Sequence, residues 1–355
     1  MIRIGAFTRS EDGWGRQSRS LAAALAAYEP TELLNWDDLK PMRLRPWRQC
    51  QPSWRSSVGI ALGAVEQTFA LGTRYRVAYH VGETTRIQPM ARYFLERADM
   101  VWTPSQWGRV VLVSNGIPAG QVRVVPEGVD TSVFRPPLEG QRDNAVFRFL
   151  CIAKWEERKG TADLVRIFRD EFHPGEPVEL VMHCGPAANT AAAVGRALAG
   201  ASPDRSPHIT CTEPVSLAGL VALMQSCHAF VLPTRGEGWG LPILEAMACE
   251  LPCIVTGFSG LTEFAHDENC FLVRVAEMVP VCDPSYYNPA VDWGEWAQPD
   301  TAHLRALMRF VYEERVVAQA KAKRACDEAA RLWSWNHAAC RAISCIRDLR
   351  GSRAW

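Results

Sequence analysis

Leu232-Pro233-Thr234-Arg235-Gly236-Glu237-Gly238-Trp239-Gly240-Leu241-Pro242-Ile243-Leu244-Glu245-Ala246-Met247-Ala248 is the stretch on which the reading of the chain turns. The apolar run Ala229–Leu232 has the length and composition of a buried strand. Three glycines in five positions follow, and then a helical pattern starting at Pro242. Proline suits a first helical position because its missing N–H would have no intrahelical partner there. Glycines ahead of a helix let the backbone come close to a ligand, and the positive end of the helix dipole favours phosphate. A strand, a glycine loop and a helix in this order predict a phosphate site at the carboxyl end of a parallel strand, where open α/β sheets bind ligands.

The same strand–turn–helix rhythm extends outward in both directions, as in parallel α/β layers. Candidate strands are Ile2–Phe7, Tyr75–Tyr79, Met100–Thr103, Val122–Val125, Phe147–Ala153, Val178–Met182, Ala229–Leu232 and Pro252–Val255. Candidate helices are Gln17–Tyr28, Met90–Arg97, Thr161–Phe172, Leu217–Ser226 and Pro242–Cys249, and about His303 to Arg350 is nearly all helix. Pro136–Asn144 holds two prolines, a glycine and several charges with nothing to bury, so it reads as a linker. Two domains of 1–140 and 141–336 follow, in keeping with a chain of 355 residues.

Two carboxylates flank the glycine loop, Glu237 within it and Glu245 in the first turns of the helix. A carboxylate only accepts hydrogen bonds and can take two adjacent hydroxyls at once. A diphosphate with a sugar on one side and a ribose on the other presents such diols. Glu237, seven residues and Glu245, within Gly-Glu-Gly-Trp-Gly-Leu-Pro, resemble the Glu-x7-Glu motif of the family-four retaining glycosyltransferases, the glycosyl transferases of group 1. The resemblance implies a GT-B fold: two Rossmann-like parallel-sheet domains facing across a cleft. It also implies donor-sugar contacts for Glu237 and ribose contacts for Glu245, with Gly238, Trp239, Gly240 and Leu241 lining the donor site.

Further segments extend this resemblance. Ala153-Lys154-Trp155-Glu156-Glu157-Arg158-Lys159-Gly160 follows a strand, and Lys154 and Lys159 match basic positions that hold the leaving diphosphate. The family usually has Arg where Lys154 stands, and an ammonium lacks the bidentate fork. Gly13 and Gly15 resemble the glycines of the first-domain loop that faces the donor phosphates. His80, at the end of the strand Tyr75–Tyr79, matches a histidine near the reaction centre, with Glu83 a weaker neighbour. Gly257–Glu263 resembles the family's glycine-rich loop ending in Glu, with Leu261 in place of one glycine. Trp333-Ser334-Trp335-Asn336 resembles the entry to a last helix, about 337–355, that completes the first domain.

Lys plus Arg and Asp plus Glu both number 39, so no global field recruits nucleic acid or an anionic membrane. No apolar run approaches the length of a membrane-spanning helix, and a cytoplasmic place, with peripheral membrane contact left open, is expected. Twelve cysteines lack any Cys-x-x-Cys spacing and read as reduced, buried thiols, Cys151, Cys184 and Cys253 among them. Lys40, Arg43, Arg45, Arg48 and Arg55 with Trp47 and Trp54 read as a solvated loop, with an acceptor wall as the alternative. The expected reaction moves a sugar from a nucleoside-diphosphate sugar to a hydroxyl acceptor with retention. No metal is expected, since no Asp-x-Asp motif is present and basic side chains can stabilise the diphosphate. Base, sugar, linkage, oligomeric state and acceptor stay open; an anionic or lipid-linked acceptor would suit the basic segment, and nucleic acid is not favoured. Two alternatives stand beside this one. An NAD-dependent dehydrogenase would need a third glycine where Ser18 stands, and a non-catalytic subunit would bind the nucleotide-sugar without turning it over.

Overall fold

A computed structural model describes residues 1–9, 13–38, 57–138, 145–199 and 208–351. The basic, tryptophan-containing stretch from Lys40 to Arg55 and the core of the expected linker, 139–144, lie outside the described residues. Two compact units make up the chain: Met1–Gly128 with Trp333–Trp355, and Val129–Leu332.

The first unit carries β1 (Ile2–Ala6), α1 (Gly13–Ala26), β2 (Thr31–Asn35), β3 (Val58–Leu62), β4 (Tyr75–Tyr79), α2 (Pro89–Leu95), β5 (Met100–Thr103), α3 (Gln106–Ser114) and β6 (Val122–Val124). Its sheet is parallel throughout, in the order β2-β1-β3-β4-β5-β6. β3 is buried at every position, as a strand covered on both faces must be. Ser105 caps α3, its hydroxyl accepting from the Gly108 amide at 3.1 Å. The last helix, which follows the second unit in sequence, also belongs here. Its Ala339, Ala342, Ile343, Ile346 and Leu349 join Ile2, Ile4, Leu21 and Val77 in one core. Arg350 pairs with Glu29 at 2.7 Å. Gly128 is obligatory at this junction, because a Cβ there would lie 2.4 Å from the Trp335 amide nitrogen.

The second unit runs through β7 (Phe147–Ile152), α4 (Thr161–Glu171), β8 (Val178–His183), α5 (Ala187–Ala197), β9 (His208–Cys211), α6 (Leu217–Ser226), β10 (Ala229–Leu232), α7 (Leu241–Ala248), β11 (Cys253–Thr256) and β12 (Phe271–Val273). An antiparallel hairpin, β13 (Val275–Pro280) with β14 (Glu295–Pro299), is followed by α8 (Thr301–Glu313) and α9 (Arg315–Leu332); the helix of the first unit is α10 (Trp335–Gly351). The main sheet is again parallel, in the order β12-β11-β10-β7-β8-β9. Its order reverses between β7 and β10, the kind of switch point at which doubly wound sheets bind ligands. Phe149, Phe168 and Phe172 form the aromatic core behind β7, at 5.0–6.3 Å between ring centroids.

Three sequence expectations shift. α1 begins at Gly13 rather than Gln17, so Gly13 and Gly15 sit in its first turn instead of ahead of it. The first unit ends at Gly128, ahead of the expected boundary at 140. Cys282 and Cys340 are exposed and Cys184 is half-buried, although Cys151 and Cys253 are buried as expected; none of the described cysteines is disulfide-bonded. Among the described residues, no helix is long and apolar enough to cross a membrane.

Candidate active site

β7 and β10 are neighbours, so the loops that leave their carboxyl ends meet at the reversal point of the second sheet. The β7 loop makes a tight 3-10 turn over Glu157–Lys159 and enters α4 through Gly160, which has φ +66°. A Cβ at Gly160 would come 2.4 Å from the Pro233 carbonyl oxygen, so glycine alone lets the two loops touch. A third loop closes in from β11, where a Cβ on Gly260 would lie 2.0 Å from the Gly238 carbonyl oxygen. Beside it Ser259 holds φ +69°, a left-handed backbone that non-glycine residues adopt at a cost. Its hydroxyl accepts from the Glu237 amide at 2.8 Å, and the Gly260 amide donates to the Glu237 carbonyl at 2.8 Å.

Glu237 is the centre of this arrangement and is only 4% exposed. Its Oε1 accepts from Lys159 Nζ at 2.5 Å, Thr234 Oγ1 at 2.9 Å and Arg158 Nη1 at 3.4 Å. Burial opposes the charge, but Lys159 and then Arg158 outweigh it, so the carboxyl titrates below its ordinary range. Arg158 is itself buried, donating to the Gly236 carbonyl at 2.8 Å and to Glu156 at 2.5 Å. Sequence reasoning missed Arg158, because Lys-Trp-Glu-Glu-Arg-Lys looks like a charge run whose buried member nothing marks.

Glu245 lies buried in α7, little more than one turn from the start of that helix, at 3% exposure. Gly240 precedes α7 with φ +105°, and the Ile243 amide closes the first turn on its carbonyl at 2.9 Å. Leu241 is buried, as is Trp239, which packs on Phe264 with ring centroids 5.0 Å apart. Trp239 therefore contributes a wall of the core at this point, with its ring turned inward. Lys154, at the start of the β7 loop, is exposed. Thus Glu237, Lys159, Gly238 and Gly240 converge with the unforeseen Arg158, and Glu245 stands behind them on α7.

The remaining candidates belong to the first unit. Gly15 is buried and Gly13 half-buried at the start of α1, after β1. β1 lies between β2 and β3, the reversal point of that sheet. His80 directly follows β4, its amide donating to the Trp102 carbonyl at 2.8 Å. Desolvation holds its imidazole down at about 4, so the ring is neutral at physiological pH and can offer a hydrogen bond but not a positive charge. Its Nε2 passes within 3.1 Å of where a Cβ on Gly82 would stand. A buried pair also in this unit, Gln17 Nε2 to Glu127 Oε1 at 2.7 Å, was not foreseen. Among the described residues no group of three or more His, Cys, Asp or Glu could hold a metal ion.

Residues 146–280 match the family model of the glycosyl transferases group 1. A D-inositol 3-phosphate glycosyltransferase of Acidothermus cellulolyticus is 26% identical over 218 residues, covering 57% of this chain and 47% of that protein. A GDP-mannose-dependent alpha-(1-6)-phosphatidylinositol monomannoside mannosyltransferase of Mycobacterium tuberculosis is 27% identical over 274 residues, covering 68% and 69%. The chain spans about half the length of several curated relatives it matches. Among solved structures, the sucrose-phosphate synthase of Thermosynechococcus elongatus superposes with a TM-score of 0.72 at 16% identity, covering 99% of both chains. Anabaena HepE, solved in complex with UDP and glucose, gives 0.71 at 12% identity, covering 98% and 99%. The chain thus has the GT-B fold, and within it residues 146–280 match the model of the glycosyl transferases group 1.

Proposed function

We propose that this chain transfers a sugar from a nucleoside-diphosphate sugar to a hydroxyl acceptor with retention of the anomeric configuration. The observation that carries the reading is the Lys159–Glu237 contact at 2.5 Å, with Arg158 beside it, at the reversal point of the second sheet. The pair places an ammonium and a carboxylate side by side, two groups that a nucleoside-diphosphate sugar can engage at once. A diphosphate takes the ammonium, and sugar hydroxyls donate to the carboxylate. Lys159, with Lys154 at the rim, then stabilises negative charge as it builds on the leaving group, a role a metal ion plays elsewhere. Glu245 reads the ribose diol. Relatives and structural neighbours with glycosyltransferase names, and HepE with bound UDP and glucose, support the same donor class. The dehydrogenase alternative gains nothing: Ser18, where its third glycine would stand, is buried with its hydroxyl donating to the Gly15 carbonyl at 3.0 Å.

The test is a thermal-shift screen of UDP-, GDP- and dTDP-sugars, followed by analysis of released nucleotide and of the product anomer. A donor present at a hundredfold its Kd stabilises the folded chain by about 2.7 kcal/mol. One donor should raise the melting temperature and be turned over, and proton NMR of the product should show the donor's own configuration. If no nucleotide-sugar shifts melting or is consumed, the assignment fails; an inverted product removes retention alone.

A further inference from the structure

Arg235 stands two residues before Glu237 and is tied on every side. Its amide donates to the Arg158 carbonyl at 2.6 Å, and its carbonyl accepts from the Ala297 amide of β14 at 3.0 Å. All three guanidinium nitrogens are engaged. Nε donates to Gln298 Oε1 at 2.9 Å, Nη2 to Asp163 Oδ2 at 2.8 Å, and Nη1 to the Glu157 carbonyl and, at 3.3 Å, to its carboxylate. The side chain is 12% exposed. On the far side of the same turn the Glu157 amide donates to Asp283 Oδ2 at 3.1 Å, and Asp283 lies in the loop joining β13 to β14. The hairpin therefore grips the Glu157–Lys159 turn from one end and the Glu237 loop from the other, with Arg235 as the common clamp.

We infer that Arg235 is a positioning residue that, braced by the β13–β14 hairpin, sets Lys159 and Arg158 against Glu237. This rests on the reading that Lys159 and Glu237 face the donor. Arg235 touches neither reacting group; it fixes the turn on which Lys159 rides. A planar fork can hold Gln298, Asp163 and Glu157 together, whereas an ammonium on a flexible stem cannot. Displacing a catalytic group by about 1 Å costs roughly 100-fold in rate.

Arg235→Lys is the decisive variant because it keeps the charge and removes the fork. The carboxyl of Glu237, followed by NMR with carbon-13 in the glutamate side chains and assigned through Glu237→Gln, reports the approach of Lys159 and Arg158, with Thr234 as its other partner. Arg235→Lys should make Glu237 titrate at higher pH, move the acid limb of kcat/KM upward, and lower kcat by about 100-fold. Asp163→Asn separates positioning from direct charge. Removing a nearby anion alone would lower the Glu237 titration, whereas a loosened clamp raises it. Titrations of Glu237 in both variants that coincide with wild type, or fall below it, overturn the inference. A wild-type protein that consumes no nucleotide-sugar would sink the functional reading instead, and the titration would still decide the role of Arg235.

Discussion

Glu237 serves folding and chemistry at once, so substitutions there must be chosen with care. Glu237→Ala leaves Lys159 and Arg158 facing each other in a niche that is nearly closed to water. Removing one member of a buried pair costs about 3–5 kcal/mol, and the loss should show in the urea midpoint. Glu237→Gln keeps the shape and an accepting oxygen, and should cost about 1 kcal/mol while lowering turnover about 100-fold. Comparison of the two variants separates a chemical role from a structural one: equal activity of Gln and wild type would deny Glu237 any contact with the donor. The same pairing sets a pH dependence. Because the folded carboxyl titrates below the ordinary 4.5, its stabilisation is present above that range and lost as pH falls through the folded value. Wild type should therefore lose more stability than Glu237→Gln between about pH 5 and 3, measured by urea midpoints across that window.

The three loops that make the niche depend on glycines of different kinds. Gly260→Ala drives a methyl group against the Gly238 carbonyl, and backbone on backbone has nowhere to go. Melting temperature and donor affinity should both fall. Gly195, on the exposed face of α5, has open space within 4 Å of where an alanine methyl would stand, and Gly195→Ala should raise stability by about 0.5–1 kcal/mol without touching activity. If Gly260→Ala melts and binds like wild type, the close approach of the β10 and β11 loops is wrong. At this scale the sequence was readable where one local rule decided the outcome. Ala229–Leu232, the glycines after it and Pro242 each follow from strand burial, backbone clearance and helix entry. β2 escaped notice because an edge strand reading Thr-Glu-Leu-Leu-Asn alternates poorly. β3 was hidden by Gly59 and by the basic stretch before it, and α5 by its run of alanines, which pack without a strong apolar stripe. β13 carries Met278 and Val279 on a strand with little burial, so periodicity had nothing to report there. The clamp of Arg235 depends on partners 63 to 78 positions away, a relation that no local pattern can reveal.

The whole chain holds two cores that are closed by different means. The second unit is continuous in sequence, Val129–Leu332, whereas the first needs α10 to cover its strands. Each fully buried aliphatic side chain contributes about 1.5–3 kcal/mol, so α10 supplies a large part of the stability of that unit. A chain stopped at Leu332 should lose the first unit's unfolding transition in calorimetry and keep the second. Retention of both transitions would mean that α10 is an accessory to its core. The niche around Glu237 lies within the second unit alone, so nucleotide should still protect the shortened chain from heat.

A ribosome delivers the six strands of the first unit long before the helix that seals them. The roughly 200 residues of the second unit intervene, and at about 5–20 residues per second that is roughly 10 to 40 seconds. Throughout this interval the groove over Ile2, Ile4 and Val77 awaits its cover. The half of the protein that is born first is therefore the half that matures last.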